Sequence, residues 1–137
     1  VCGDFAIGHY THEKNPVTAR AALTTIEIIE EEGLVVRSEE LGTYAMSQLQ
    51  DRLDDLAIVG DIRGRGLMFG VEIVLDRIDK TPGNDLAEKI YYACLSAGLS
   101  FKISQGCVLT LSPPLTISRT DLDRALDIVV NAIREVA

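Results

Sequence analysis

Residues 8–23 read GHYTHEKNPVTARAAL, and the first half of that run crowds chemically able side chains together. His9 and His12 stand three apart, a spacing that brings two imidazoles to one metal when the backbone is helical. The helical pattern starts only after Asn15, however. HYTHE also matches neither the H-E-x-x-H nor the H-x-x-E-H arrangement of zinc hydrolases. No metal site is expected, and polar loop histidines are the plainer reading. The same run offers the Thr11 hydroxyl and backbone N–H groups just ahead of a proline-started helix, the raw material of an anion cradle.

The other chemically suggestive stretches are weaker. GDIRGRGLMFG places three residues between Gly66 and Gly70, so it is not G-x-G-x-x-G. It also runs into strand-like sequence, whereas a dinucleotide fingerprint opens a helix. A structural bend is expected there, with Arg63 and Arg65 solvated or ion-paired. Cys94 falls on the apolar stripe of a helical segment and reads as an inert core thiol. The acidic pairs Glu39-Glu40 and Asp54-Asp55 read as solvated helix surface. No Ser-His-Asp or Cys-His arrangement supports a nucleophile, and no catalytic residue is assigned within the chain.

The elements that must position these residues follow from periodicity and punctuation. Asn15 is a good N-cap and Pro16 suits the first helical position. Val17, Ala21, Ala22, Ile26 and Ile29 then mark one face, and Gly33 supplies the stop. A second helix is expected after Ser38, with Leu41, Tyr44, Ala45, Leu49 and Leu53 at helical spacing. AIVGDIRGRGLMFGVEIVLD is β-branched and broken by four glycines, as expected of two strands with a tight bend. Thr81 to Asn84 should turn into a third helix carrying Leu86, Ile90, Ala93, Cys94 and Ala97, with Gly98 ending it. LSFKIS and CVLTLS read as strands joined through Gln105-Gly106. Ser118 with Asp121 resembles a capping box and opens a last helix striped by Leu122, Ala125, Leu126, Val129, Val130 and Ile133. The order α-α-β-β-α-β-β-α predicts an α+β fold, with helices covering one face of a small, mostly antiparallel sheet.

Composition bounds the function. The chain has 137 residues, 47% hydrophobic and 25% charged, which suits one ordinary globular core. A net charge of -8 argues against nucleic acid as a partner, because a phosphate backbone would be repelled. No apolar run approaches the roughly 20 residues that span a bilayer, so no membrane is expected. Three cysteines without C-x-x-C spacing fit a reducing cytoplasm rather than a disulfide framework.

Four motifs together carry a resemblance. THEKNPVTARAAL, EEEGL, VGDIRGRGLMFGVEIV and LSPPLTIS stand in the order and approximate spacing of the C-terminal part of class III aminotransferases. These are pyridoxal 5'-phosphate enzymes of fold type I, and the opening motif resembles the dialkylglycine decarboxylase branch. The resemblance implies a homodimer acting on a small amine or amino acid and a keto acid. It implies that Thr11, five residues before Pro16, binds the cofactor phosphate held by the neighbouring subunit. Residues 1–15 are then expected to be a loop from a truncated large domain, and 16–137 the C-terminal small domain with its connecting helix. The covalently bound cofactor lysine would lie upstream, since Lys14 sits inside the Thr-to-Pro motif itself. By itself the chain is therefore expected to be inactive.

One departure bears on substrate. Many family members carry an arginine three residues before the Pro-Pro, where it pairs with a substrate carboxylate. Here that position is Thr110, which supplies neither the charge nor the fork. The resemblance places Thr110 at the substrate mouth and leaves room for an amine, an ω-amino acid or a phosphorylated amine. Arg65 or an upstream arginine is a possible replacement. Transamination is the first expectation. A lyase, decarboxylase or epimerase using the same cofactor is the second, and a non-catalytic α+β binding module is the third.

Overall fold

A computed structural model describes residues 15–137. The elements in chain order are α1 (Pro16–Glu31), α2 (Leu34–Leu53), β1 (Val59–Arg65), β2 (Met68–Ile73), α3 (Asn84–Ser96), β3 (Lys102–Ser104), β4 (Val108–Leu111) and α4 (Arg119–Val136). The chain divides into two units, residues 1–35 and 36–137.

In the first unit, α1 begins as its sequence dictates. Asn15 Oδ1 accepts the Val17 N–H at 2.9 Å, and Pro16 stands at the first helical position, where its missing N–H costs nothing. Gly33, at φ +61°, turns the chain out of the helix. The apolar face read from the sequence is present in α1, yet none of the helix's residues is buried. Val17 is 74% and Ile26 53% exposed.

The second unit is built on a four-stranded antiparallel sheet in the order β1-β2-β4-β3. One face of it is apolar and covered. Phe69, Val71 and Ile73 of β2 and Leu109 and Leu111 of β4 alternate inward. They share one core with Leu49 and Leu53 of α2, Ile90 and Cys94 of α3, and Leu122, Leu126 and Ile133 of α4. Each such side chain contributes about 1.5–3 kcal/mol by leaving water. Burial pushes the Cys94 thiol up to about 11, which keeps it protonated and inert, as expected of a core cysteine.

The glycines of GDIRGRG are structural. Arg65 pairs with Met68, so Gly66 and Leu67 form a two-residue hairpin loop, with Gly66 first and at φ +54°. A glycine there suits the II′ hairpin turn, whose twist matches the strands. Any side chain on Gly42 would run into the Gly66 backbone, so α2 lies directly against this turn. The expected start of α2 after Ser38 is corrected: the helix begins at Leu34, directly after the left-handed Gly33, with no capping residue needed between them. Ser38 lies inside α2 instead, and its Oγ accepts the Leu67 N–H at 3.0 Å, tying helix to hairpin.

The helix ends are similarly explicit. Gly83, within the expected turn, occupies the N-cap of α3, and it offers no side chain to cap with. At the other end Leu99 N–H bonds Cys94 C=O and Gly98 N–H bonds Leu95 C=O, a Schellman motif around Gly98 at φ +88°. Ala97, expected on the buried stripe, is the C-cap and is exposed, while Ala87 takes an inward place beside Ile90 and Cys94. Ser118 Oγ accepts the Asp121 N–H at 3.0 Å and donates to the Asp121 carboxylate at 2.6 Å. Asp54 and Asp55 fall just past α2 rather than on its surface, where Arg77 and Arg134 pair with them. Arg134 also donates to the Arg52 C=O at 2.6 Å, and Arg52 pairs with Asp127 at 2.9 Å. Arg119 stacks on the Tyr44 ring at 3.1 Å, and Tyr44 Oη donates to Asp123 at 2.7 Å. The two clamps pin α4 to α2 near both its ends and so steady the covered side of the sheet.

Candidate functional site

The opposite face of the sheet has no helix over it in the second unit, and its residues are chemically different. Cross-strand register sets them in a row. Arg63 of β1 pairs with Gly70 of β2, Gly70 with Thr110 of β4, and Thr110 with Lys102 of β3. Directly paired residues point to the same side, with Cβ atoms about 4.5–5.5 Å apart. The row therefore presents a guanidinium, a gap, a hydroxyl and an ammonium in sequence. Ser104 and Glu72 share this face one row away, on either side of Val108.

The gap is enforced. A side chain at Gly70 would press on Val108 Cγ1 and Leu109 C=O, so a glycine, itself buried, stands between Arg63 and Thr110. A dent of about 190 Å3 fills that position, lined by Arg63, Met68, Gly70, Val108 and Thr110. Thr110 also borders a larger apolar cavity of about 380 Å3, which it shares with Lys102, Phe101, Pro113, Leu122 and Leu126. Its hydroxyl donates to Ser104 Oγ at 2.8 Å. That bond leaves the Ser104 proton free to be donated outward.

The two cations of the row differ in commitment. Arg63 donates to Asp61 at 2.9 Å and to Glu72 at 3.1 Å. The bonds to Asp61 and then Glu72 raise its already high pKa. Its charge is thus already more than matched by two carboxylates. Lys102 is exposed and makes no ion pair among the described residues. Arg65 is at the end of β1, opposite Met68, two residues in register from the row of Thr110 and on the same side of the sheet.

The expected site residues fare differently. Thr110 lies at the centre of the open row. Thr11, His9, His12 and Lys14 lie outside the described residues. No cluster of three metal-ligating side chains occurs among the described residues, and no described helix is long and apolar enough to cross a membrane. Lys102 and Ser104 went unnoticed in the sequence, and Gly70 was read only as part of a bend. Alternation in FKIS and VLTL assigns Lys102, Ser104 and Thr110 a side, but only the register shows that Lys102 stands beside Thr110.

This donor set, one ammonium and two hydroxyls, fits the anionic end of a small ligand. It does not fit the ring of pyridoxal phosphate, because the carboxylates of the face, Asp61 and Glu72, are engaged by Arg63. The residue expected at the cofactor phosphate, Thr11, falls outside the described residues.

The described residues hold four helices and a four-stranded antiparallel sheet, an α+β arrangement found within class III transaminases, which are fold type I pyridoxal-phosphate enzymes. Its structure superposes on that of a Bacillus anthracis aminotransferase with a TM-score of 0.86 and 34% identity, covering 96% of this chain and 31% of that one. The sequence profile of the class-III aminotransferases matches residues 6–133, and the chain belongs to that family. Among curated relatives, an (R)-1-hydroxy-2-aminoethylphosphonate ammonia-lyase from Vibrio splendidus is 48% identical over 96% of this chain and 27% of its own length. A leucine/methionine racemase from Thermococcus litoralis is 44% identical over 95% of the chain and 30% of its own length. The chain thus spans between a quarter and a third of these relatives.

Proposed function

We propose that the whole protein is a pyridoxal-phosphate enzyme of the lyase kind, releasing ammonia from a small amine that carries an anionic group. The observation that carries this reading is the 48% identity to an ammonia-lyase of an aminoalkylphosphonate, in a chain with threonine at position 110, three residues before Pro113-Pro114. When bound, the cofactor supplies an electron sink at the amine-bearing carbon. This chain's part is to receive and orient the substrate. The open face of the sheet offers the Thr110 and Ser104 hydroxyls and the Lys102 ammonium. The clamped α2 and α4 hold the strands from behind.

Physical reasoning favours elimination over transfer. A transaminase must hold an amino donor and a keto acid in turn, and the acceptor always presents a carboxylate. The planar fork of arginine suits that group, and Thr110 does not provide one. A lyase needs to recognise one substrate only. Thr11 at the cofactor phosphate of a homodimer partner belongs to the same proposal, on the strength of the family motif. A cytoplasmic site of action fits the cysteine usage.

The decisive assay uses the full-length, cofactor-loaded protein with (R)-1-hydroxy-2-aminoethylphosphonate and no keto acid. Ammonia should appear in step with loss of substrate. Turnover that requires a keto acid, and yields the matching amino acid, would establish transamination instead. That second reading is supported by the likeness to a solved aminotransferase at TM-score 0.86. Membership of an enzyme family speaks against the non-catalytic module.

A further inference from the structure

We infer that Lys102 is the residue that selects the anionic end of the substrate, and that it selects a tetrahedral phosphorus oxyanion over a carboxylate. This rests on the proposed reading for the identity of the substrate, but the site itself is read from the sheet.

Three features of β3 and β4 carry it. First, Lys102 stands directly opposite Thr110 in the ladder, and Ser104 follows two residues on along the same side of β3. Second, Thr110 Oγ1 already donates to Ser104 Oγ at 2.8 Å. The Ser104 proton and the Lys102 ammonium are then the outward donors of one cluster. Third, Lys102 has no ion-pair partner among the described residues, whereas Arg63, at the other end of the row, is held by Asp61 and Glu72. An incoming anion would have to break that pairing to use Arg63. It meets Lys102 without breaking anything.

The chemistry of the donors sets the class of ligand. A guanidinium presents parallel N–H groups matched to the two oxygens of a planar carboxylate. An ammonium is a compact point charge with rotatable donors and takes any oxyanion geometry. Paired with a hydroxyl to one side, it can reach two different oxygens of a tetrahedral group at once. On the other flank of Thr110, the dent bordered by Gly70, Arg63 and Val108 leaves space for the third oxygen. In a chain of net charge -8, an unpaired cation beside Thr110 is also the local attraction that a dianion needs. A phosphonate and a phosphate monoester share this chemistry.

The test is a calorimetric titration of methylphosphonate, and separately of acetate, into the full-length protein already loaded with cofactor, so that the cofactor phosphate site is filled. Lys102→Met should weaken methylphosphonate by about tenfold or more, as expected for loss of one charge-assisted contact. Lys102→Arg should restore most of that loss and improve acetate relative to methylphosphonate, a change that a merely structural lysine would not produce. Lys89→Met, an exposed lysine of α3, should change nothing. Unchanged binding by Lys102→Met, no binding by the unaltered protein, or an equal loss in Lys89→Met would each overturn the inference. The ammonia assay reads a different property. A protein that transaminates yet binds methylphosphonate through Lys102 would refute the lyase reading and leave this inference standing. The reverse pattern would do the opposite.

Discussion

Leu109 and Thr110 are neighbours in one strand and face opposite worlds. Leu109 is fully buried against the helices, and its side of the sheet holds only apolar side chains at its centre. Thr110 looks out over Gly70, Lys102 and Ser104. The contrast teaches how the fold divides its labour. The covered face fixes strand positions through packing, and the open face can then carry groups chosen for chemistry rather than stability. Within the second unit, three helices pack on one side of the sheet and none of its described helices on the other, which leaves a rigid, accessible strand surface.

The strongest way to break that comparison is to truncate both neighbours in the full-length protein. Leu109→Ala should destabilise the domain by about 2–5 kcal/mol, because a cavity opens in a packed core. Thr110→Ala should cost no more than about 1.5 kcal/mol, the worth of one half-buried hydrogen bond. Denaturant unfolding, with hydrogen exchange of the α3 and α4 amides to localise the loss, would compare them. Equal losses would mean that the open face is structural as well.

The hairpin that carries Arg63 to the open face gives a smaller effect. Gly66→Ala places a Cβ 2.6 Å from Ser38 Oγ at a left-handed backbone position, and should cost about 1–3 kcal/mol. Thermal unfolding would show it. Ser118→Ala removes the cap of α4 and should cost about 1 kcal/mol, with faster exchange confined to the first turn of that helix.

The effect confined to alkaline solution is a pH dependence of the covered face. Burial raises the Cys94 pKa from 9.0 to about 11. Below pH 9 folded and unfolded chains both keep the proton, and the group adds no pH dependence. Between 9 and about 11 the unfolded chain loses it first, so stability falls as pH rises through that window. Cys94→Ala should abolish that slope while lowering stability overall. A slope that survives the substitution would assign it to other groups.

Much of the architecture was legible in the sequence, and the reasons are local. Caps such as Asn15-Pro16 and Ser118, stops such as Gly33 and Gly98, and the hairpin at Gly66 each act within a few residues, so their types alone announce them. The order of elements and the antiparallel sheet followed. The start of α2 was misplaced because Ser38 has the look of an N-cap, while its hydroxyl serves Leu67, far along the chain. The same limit hid half of the open face. Alternation tells which side of β3 Lys102 occupies, but nothing local says that β3 pairs with β4 in the register that sets it beside Thr110. Arg63 and Arg65, in a conspicuous glycine-rich motif, were expected to be solvated or ion-paired. The structure pairs Arg63 with two carboxylates and leaves Arg65 exposed at the end of β1, opposite Met68.

The central claim is that Thr110 and its row face the substrate, and that the missing arginine sets what is accepted there. Thr110→Arg in the full-length, cofactor-loaded protein tests it most directly. The ratio of kcat/KM for an α-amino acid to that for an aminoalkylphosphonate should rise by about tenfold or more, as one bidentate carboxylate contact is gained. A ratio that stays unchanged, with the protein folded and its cofactor bound, would contradict it.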